Sequence, residues 1–135
     1  SEALSLRWSD IDWERGRMVI HSPKTAHHGK ASRVCPIFPE LRPYLDDLFT
    51  VAPEGAVYVL PSLRHASAER GDWQATNLRT TFLKIIHRAG QTPWPRLWHN
   101  LRASRQTELA AEFPTHVVCD WLGNTQLIAA KHYLQ

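Results

Sequence analysis

Three helical patterns follow one another closely in the C-terminal third of the chain, and they constrain the fold more than any other feature. Apolar residues recur at helical spacing over residues 97–111, 115–122 and 125–134. Pro114 and Gly123 separate these segments. Proline does not continue a helix, and glycine is the residue that most often ends one. The pattern therefore predicts three consecutive helices with short connections.

Residues 76–89 give the clearest single helical pattern in the chain. One face of this segment is apolar, the opposite face carries basic side chains, and Gly90 suits the C-terminal cap. Earlier in the chain, Pro39 fits the first position of another helix, which has leucines at helical spacing. Residues 1–8 are also helix-like. Most of the chain is therefore predicted to be helical.

Two β-prone runs, residues 17–21 and 33–38, flank a polar stretch that contains a proline, a glycine and two histidines. This arrangement predicts an antiparallel hairpin with a long basic tip. A loop is expected over residues 53–61, within which residues 56–60 have the composition of a further strand. The sum is one domain, residues 1–135, of the α+β class: mainly helical, with a small antiparallel β-sheet.

Basic residues are concentrated in the middle of the chain. Between Arg64 and Arg105 there are eight basic residues and two acidic ones, whereas the whole chain has a net charge of only +3. Such a surplus indicates either a surface that binds a polyanion such as DNA or a solvated basic face. The candidate DNA-binding residues are Arg79, Lys84, Arg88, Arg96, Arg105 and, in the hairpin tip, Lys30.

The cysteines and most tryptophans are expected in the core. Cys35 and Cys119 are far apart in the sequence and have no redox or metal spacing, so they are interpreted as buried thiols in a reducing compartment. The tryptophans expected to be buried are Trp8, Trp13, Trp98 and Trp121.

Neither a metal site nor a membrane span is predicted. His27 and His28 are adjacent, but no carboxylate or cysteine accompanies them at ligand spacing. No apolar run approaches the roughly 20 residues of a membrane-spanning helix. These features favour a cytoplasmic protein.

Four motifs occur in a fixed order along the chain. The first is the opening segment SEALSLRWSDID, residues 1–12, and the second is the hairpin, residues 22–37, which begins SPKT and ends RVCPI. The third is HNLR, residues 99–102, and the fourth is LGN, residues 122–124, followed by Tyr133 nine residues after the asparagine. In order and spacing these motifs resemble the catalytic domain of the tyrosine recombinases, the phage integrase family, over nearly the whole chain.

The resemblance implies the fold of the DNA breaking-rejoining enzymes and a role for each matched residue. Tyr133 would be the nucleophile, His99 a base towards it, and Arg102 a clamp on the phosphate. Lys24 would protonate the leaving 5′-oxygen, and Asn124 would donate a hydrogen bond to a phosphate oxygen. The family uses no metal or other cofactor, because the phosphotyrosine conserves the energy of the broken bond.

The residue types suit this chemistry independently of the resemblance. Tyrosine is a weak nucleophile at its ordinary pKa of about 10, so it needs a base and a cationic pocket for the phosphate. His99 and Arg102 are three residues apart on a predicted helix and therefore share one face. Arginine has the planar fork that binds phosphate oxygens in pairs. Lys30 is an alternative to Lys24 as the hairpin lysine.

Two departures from the family pattern affect the expected activity. Asn124 stands where the family usually has histidine, and an amide can donate a hydrogen bond but cannot titrate. The family's first catalytic arginine would lie two residues before Ser1. The chain by itself is therefore expected to be nearly inactive.

The resemblance also implies partners and a cellular setting. Double-stranded DNA is the expected ligand, and four protomers would assemble on DNA during strand exchange, whereas the chain alone would be a monomer. A bacterial or phage-derived protein at the nucleoid is expected.

Two alternatives stay open: a DNA-binding module of the same fold that has lost catalysis, and a relaxing enzyme similar to type IB topoisomerases.

Overall fold

The structure is a computed structural model that describes residues 2–22, 29–68 and 77–132. Its contacts divide the chain into two compact units, Ser1–Thr76 and Asn77–Gln135. The first unit contains a three-stranded antiparallel sheet, and helices are the regular elements in the described part of the second. The predicted α+β class, mainly helical with a small antiparallel sheet, is confirmed.

The sheet of the first unit consists of β1 (Ile11–Asp12), β2 (Arg17–His21) and β3 (Ser32–Pro36), paired in that order. Met18 of β2 lies opposite Cys35 of β3, and both side chains are buried. Residues opposite each other on paired strands point to the same face, so this pair belongs to the core. The predicted hairpin is confirmed. The short strand β1 was not predicted, because two residues are too few to show an alternating pattern.

Three helices and a 3-10 turn complete the described part of the first unit. They are α1 (Glu2–Ser5), the 3-10 turn (Trp8–Asp10), α2 (Arg42–Thr50) and α3 (Pro61–Ala68). The 3-10 turn brings Trp8 to Phe49 of α2, with ring centroids 5.1 Å apart, and Trp13 lies 5.8 Å from the same phenylalanine ring. This partly buried aromatic cluster joins the beginning of the unit to α2.

Three expectations for this unit are wrong. Pro39 does not begin a helix, because the chain first makes a turn in which the carbonyl of Phe38 accepts the N–H of Leu41, and α2 has Pro43 in its first turn instead. Residues 56–60 form no continuous strand, and Tyr58 makes only an isolated bridge to Arg7. Pro61, expected in a loop, begins α3. Proline suits the first turn of a helix because its missing N–H would have no helical partner there.

The described helices of the second unit are α4 (Arg79–Arg88), α5 (Leu97–Glu112), α6 (Thr115–Leu122) and α7 (Gln126–His132). The bounds of α6 are those predicted from Pro114 and Gly123. The predicted start of α4 at residue 76 lies outside the described residues, and Asn77 and Leu78 are not helical. The side chain of Asn77 accepts the N–H of Arg79 at 2.9 Å, which stabilises a turn at the point where α4 begins.

The buried side chains of the second unit come from all four described helices. They are Ile86, Leu97, Gln106, Leu109, Val118, Cys119 and Ala129. Trp98 is 50% exposed, so its expected burial is wrong. Its ring stacks on Phe82 of α4 with centroids 4.6 Å apart, and this contact covers one ring face and leaves the other side towards solvent.

Candidate functional site

The H-x-x-R motif lies in the first turns of α5, and several contacts define where this helix begins. Arg96, immediately before the helix, has left-handed backbone angles (φ 49°, ψ 50°), which a non-glycine residue rarely adopts. Asn100 closes this turn, because its N–H bonds to the carbonyl of Arg96 at 3.0 Å and its side chain donates to the carbonyl of Pro95 at 2.8 Å. Leu97 is buried beneath the turn. These contacts determine the position of the first turn of α5, the helix that carries His99 and Arg102.

Arg102 is partly buried and attached to the end of α6. Its Nη2 donates a hydrogen bond to the carbonyl oxygen of Leu122 at 2.5 Å. Leu122 is the last residue of α6, and carbonyls in the last turn of a helix have no partner within it. The guanidinium therefore satisfies a helix end and is held in place by it. His99 is half-buried and lies three residues earlier, on the same face of α5.

Gly123 determines how the chain leaves α6. Its backbone angles are left-handed (φ 72°, ψ 40°), and its N–H bonds to the carbonyl of Cys119 at 2.8 Å. The N–H of Asn124 bonds to the same carbonyl at 3.0 Å. A glycine in the left-handed conformation is a common C-terminal cap of a helix, and only glycine adopts this conformation without steric cost. It reverses the chain so that Asn124 faces α5.

Asn124 makes a reciprocal pair of hydrogen bonds with Gln106 of α5. Its Nδ2 donates to Oε1 of Gln106 at 2.9 Å, and Nε2 of Gln106 lies 3.5 Å from Oδ1 of Asn124. Gln106 has no exposed surface, and its Nε2 is also 3.7 Å from the sulfur of Cys119. Burial, with a smaller contribution from Asp120, raises the pKa of the Cys119 thiol. The sequence offered one signal for Gln106: it lies four residues after Arg102, on the same face of the helix.

The other two predicted catalytic residues, Lys24 and Tyr133, lie outside the described residues. The described hairpin ends on one side at Ser22, which is buried and whose N–H bonds to the carbonyl of Ala31 at 2.8 Å. Tyr133 follows directly after α7. Of the predicted catalytic set, the structure thus describes the side chains of His99, Arg102 and Asn124, all in the second unit.

A cluster of polar side chains lies in the first unit where β2 ends and β3 begins. Both oxygens of Glu2 accept hydrogen bonds from Arg33 on β3, at 3.0 and 2.8 Å, and Ser22 donates to the same carboxylate. A paired guanidinium and carboxylate is among the strongest polar contacts in proteins. This contact joins α1 to the hairpin two residues before Lys24, and sequence reasoning did not find it.

The candidate DNA-binding residues are all at least partly accessible. Arg79, Lys84 and Arg88 are exposed on α4, and Arg96 and Lys30 are exposed in turns. Arg105 lies on α5 and forms an ion pair with Glu108 at 3.2 Å. That pair reduces the net positive charge at this point of α5, whereas α4 carries no acidic residue.

Among the described residues, no three histidine, cysteine or acidic side chains come close enough together to hold a metal ion. His27 and His28 lie outside the described part of the chain. None of the described helices is long and apolar enough to cross a membrane.

The whole chain matches one family. The model of the phage integrase family matches residues 1–135. The chain belongs to this family. Membership supports, at the level of the family, an action on DNA in site-specific recombination. Searches among curated proteins and among solved structures found no significant match.

Proposed function

We propose that this chain is the catalytic domain of a tyrosine recombinase that cuts and rejoins one DNA strand at a time through a 3′-phosphotyrosine at Tyr133. In this proposal His99 and Arg102 act at the scissile phosphate together with Asn124. Lys24 is the proton donor to the leaving oxygen. Four protomers on two duplexes carry out strand exchange, and the chain alone is monomeric in a bacterial or phage-derived setting.

One observation supports the proposal most strongly: α5 contacts both sides of the turn that follows α6. Arg102 bonds to Leu122 and Gln106 bonds to Asn124, and these two α5 residues are four apart and hence neighbours on the helix surface. The guanidinium of Arg102 and the amide of Asn124 are thereby each held by a hydrogen bond between α5 and the same short turn. Both groups donate N–H bonds, as an anionic phosphate requires.

The proposed reaction exchanges one phosphate ester for another. The phenolic oxygen of Tyr133 attacks phosphorus while His99 accepts its proton, and the bond from phosphorus to the 5′-oxygen breaks. Lys24 gives a proton to that oxygen, which leaves as a hydroxyl. Arg102 and Asn124 stabilise the negative charge that accumulates on the phosphate oxygens in the transition state. Rejoining is the same sequence in reverse, with a 5′-hydroxyl as the attacking group.

The test is to trap the covalent intermediate on a nicked duplex whose cleaved end diffuses away. The assay uses the protein in its full natural length. We expect a denaturation-resistant DNA adduct with the native protein and none with Tyr133→Phe, although both bind DNA equally. An adduct formed by Tyr133→Phe would overturn the choice of nucleophile.

A second candidate is a DNA-binding module that has lost catalysis. The observation that favours it is Asn124 itself, since an amide replaces the family's usual titratable histidine. DNA binding without any adduct from the native protein would support this candidate. Relaxation of supercoiled DNA without exchange between duplexes would instead indicate a topoisomerase-like enzyme.

A further inference from the structure

We propose that Gln106 is a positioning residue that orients the amide of Asn124 towards a nonbridging oxygen of the scissile phosphate. The inference rests on the proposed function, because it assigns Gln106 a task within that site.

The burial of Gln106 is the first argument. Its side chain is 0% exposed, and an uncharged amide in the interior is costly unless hydrogen bonds satisfy it. Among the described residues, its side chain has a weak contact from Nε2 to the sulfur of Cys119 at 3.7 Å, and the contacts that satisfy it are those with Asn124. An apolar side chain would fill the same space without this cost. The glutamine is therefore matched to Asn124 and not only to the packing of α5.

The geometry of the pair is the second argument. Two contacts between the amides, at 2.9 and 3.5 Å, restrict the plane of the Asn124 side chain as well as its direction. A lone asparagine can rotate about its terminal bond and present either an oxygen or an N–H group to a ligand. An oxygen turned towards a phosphate would be repelled. In the pair, one Nδ2 hydrogen is directed to Gln106, and the second lies outside the pair, where it can meet a phosphate oxygen.

The location of the pair is the third argument. Gln106 lies one helical turn after Arg102, and Asn124 lies two residues after Leu122, the partner of Arg102. The two α5 side chains thus hold opposite ends of the same short turn. A shift of about 1 Å at a reacting centre costs on the order of 100-fold in rate. The hydrogen bonds from Gln106 to Asn124 would therefore increase the reaction rate by preventing such a shift.

The experiment compares Gln106→Met with the native protein and with Cys119→Ala. Methionine keeps the length and volume of glutamine but has no amide. Cys119→Ala is the matched control, because it perturbs the same buried location and leaves the amide pair intact. Single-turnover formation of the DNA adduct, DNA affinity and thermal unfolding are measured for each protein, in both the native and the Asn124→Ala background.

We expect Gln106→Met to slow adduct formation about 10- to 100-fold with unchanged DNA affinity. In the Asn124→Ala background the same substitution should have little further effect on the rate, because no amide remains to be oriented. Cys119→Ala should lower the unfolding temperature without a comparable loss of rate.

Two outcomes overturn the inference, and they differ. If Gln106→Met reacts at the native rate, or slows the reaction equally in both backgrounds, Gln106 has only a structural role and the proposed function stands. If the native protein forms no adduct at all, the proposed function fails and the positioning role fails with it. Should Gln106→Met not fold, Gln106→Leu provides the same comparison.

Discussion

Arg102 on α5 donates a hydrogen bond to the main-chain carbonyl of Leu122, the residue with which α6 ends. The position of the guanidinium therefore depends on where α6 terminates, and the termination depends on the glycine that follows. One local signal in the sequence, Leu-Gly-Asn, thus controls two side chains of the proposed site, since Asn124 is the residue after that glycine.

Arg102→Lys should abolish most of the cleavage activity although it retains the positive charge. Lysine has no planar fork, so it cannot bond to Leu122 and hold phosphate oxygens in the same geometry. Loss of one preorganised donor costs about 10²–10³-fold in rate. Single-turnover cleavage of a nicked duplex measures the effect. Arg42→Lys on α2, where Arg42 pairs with Asp46, is the control and should react within a few-fold of the native rate; an equal loss in both variants would contradict the assignment.

Gly123→Ala should reduce stability and cleavage together. A side chain at φ 72° is strained by about 1–2 kcal/mol, and relief of that strain would shift both Leu122 and Asn124. Gly90→Ala is a matched control, because Gly90 follows α4 with φ 69° and its added Cβ would have no atom within 4 Å. Denaturant unfolding should give similar losses of stability for both variants, whereas only Gly123→Ala should lose cleavage. A parallel loss of cleavage in both would mean that strain alone accounts for it.

The exposed basic residues of α4 should contribute to DNA binding through phosphate contacts. We expect weak, sequence-independent affinity, about micromolar or weaker at physiological salt. Each of Arg79→Ala, Lys84→Ala and Arg88→Ala should reduce the slope of log affinity against log salt by about 1. Fluorescence anisotropy on a short duplex at several salt concentrations measures the slope. Arg15→Ala is the control, since Arg15 is paired with Asp12 in the first unit; an equal change there would indicate a general charge effect.

The Cys119 thiol should make stability fall in alkaline solution. Burial raises its pKa in the folded state above the ordinary value, which is about 8.5 in the unfolded chain. The folded protein therefore keeps the proton longer, so the contribution to stability is present below the unfolded pKa and is lost as the pH rises through the folded pKa. Denaturant unfolding from neutral to alkaline pH should show this decline, and Cys119→Ala should make it shallower. A variant whose pH dependence equals the native one would refute the effect.

The sequence predicted those elements whose signals are local. Pro114 comes directly before α6 and Gly123 directly after it, so the sequence predicts both ends of this helix. The hairpin was found because two β-prone runs, which form β2 and β3, flank a polar stretch that contains a proline and a glycine. Trp98 was wrongly expected in the core, because residue type does not reveal how much of a ring its neighbours cover: Trp98 stacks on Phe82 of α4 and is still 50% exposed.

The Gln106–Asn124 pair could not be predicted because it depends on the packing of two helices. The partners are 18 residues apart, and their contact requires the chain to reverse at Gly123 and α6 to lie against α5. The pair of Glu2 with Arg33 spans 31 residues and depends in the same way on how α1 meets the hairpin. Sequence motifs identified the residues that match the family, whereas their supports follow only from tertiary structure.

Asn124→His should change the cleavage rate only modestly if the asparagine is a working substitute for the family's histidine. Either side chain offers one N–H donor to the same phosphate oxygen, and a single neutral hydrogen bond is worth about 0.5–1.5 kcal/mol, or up to about tenfold in rate. The variant and the native protein are compared by single-turnover adduct formation on the nicked duplex, with Asn124→Ala as the variant that lacks any donor. We expect Asn124→Ala to be the slowest of the three, because it removes the donor and leaves the buried amide of Gln106 without its partner. A gain of several thousand-fold on restoring histidine would show instead that asparagine inactivates the site, and the native protein would then be a DNA-binding module that had lost its catalysis.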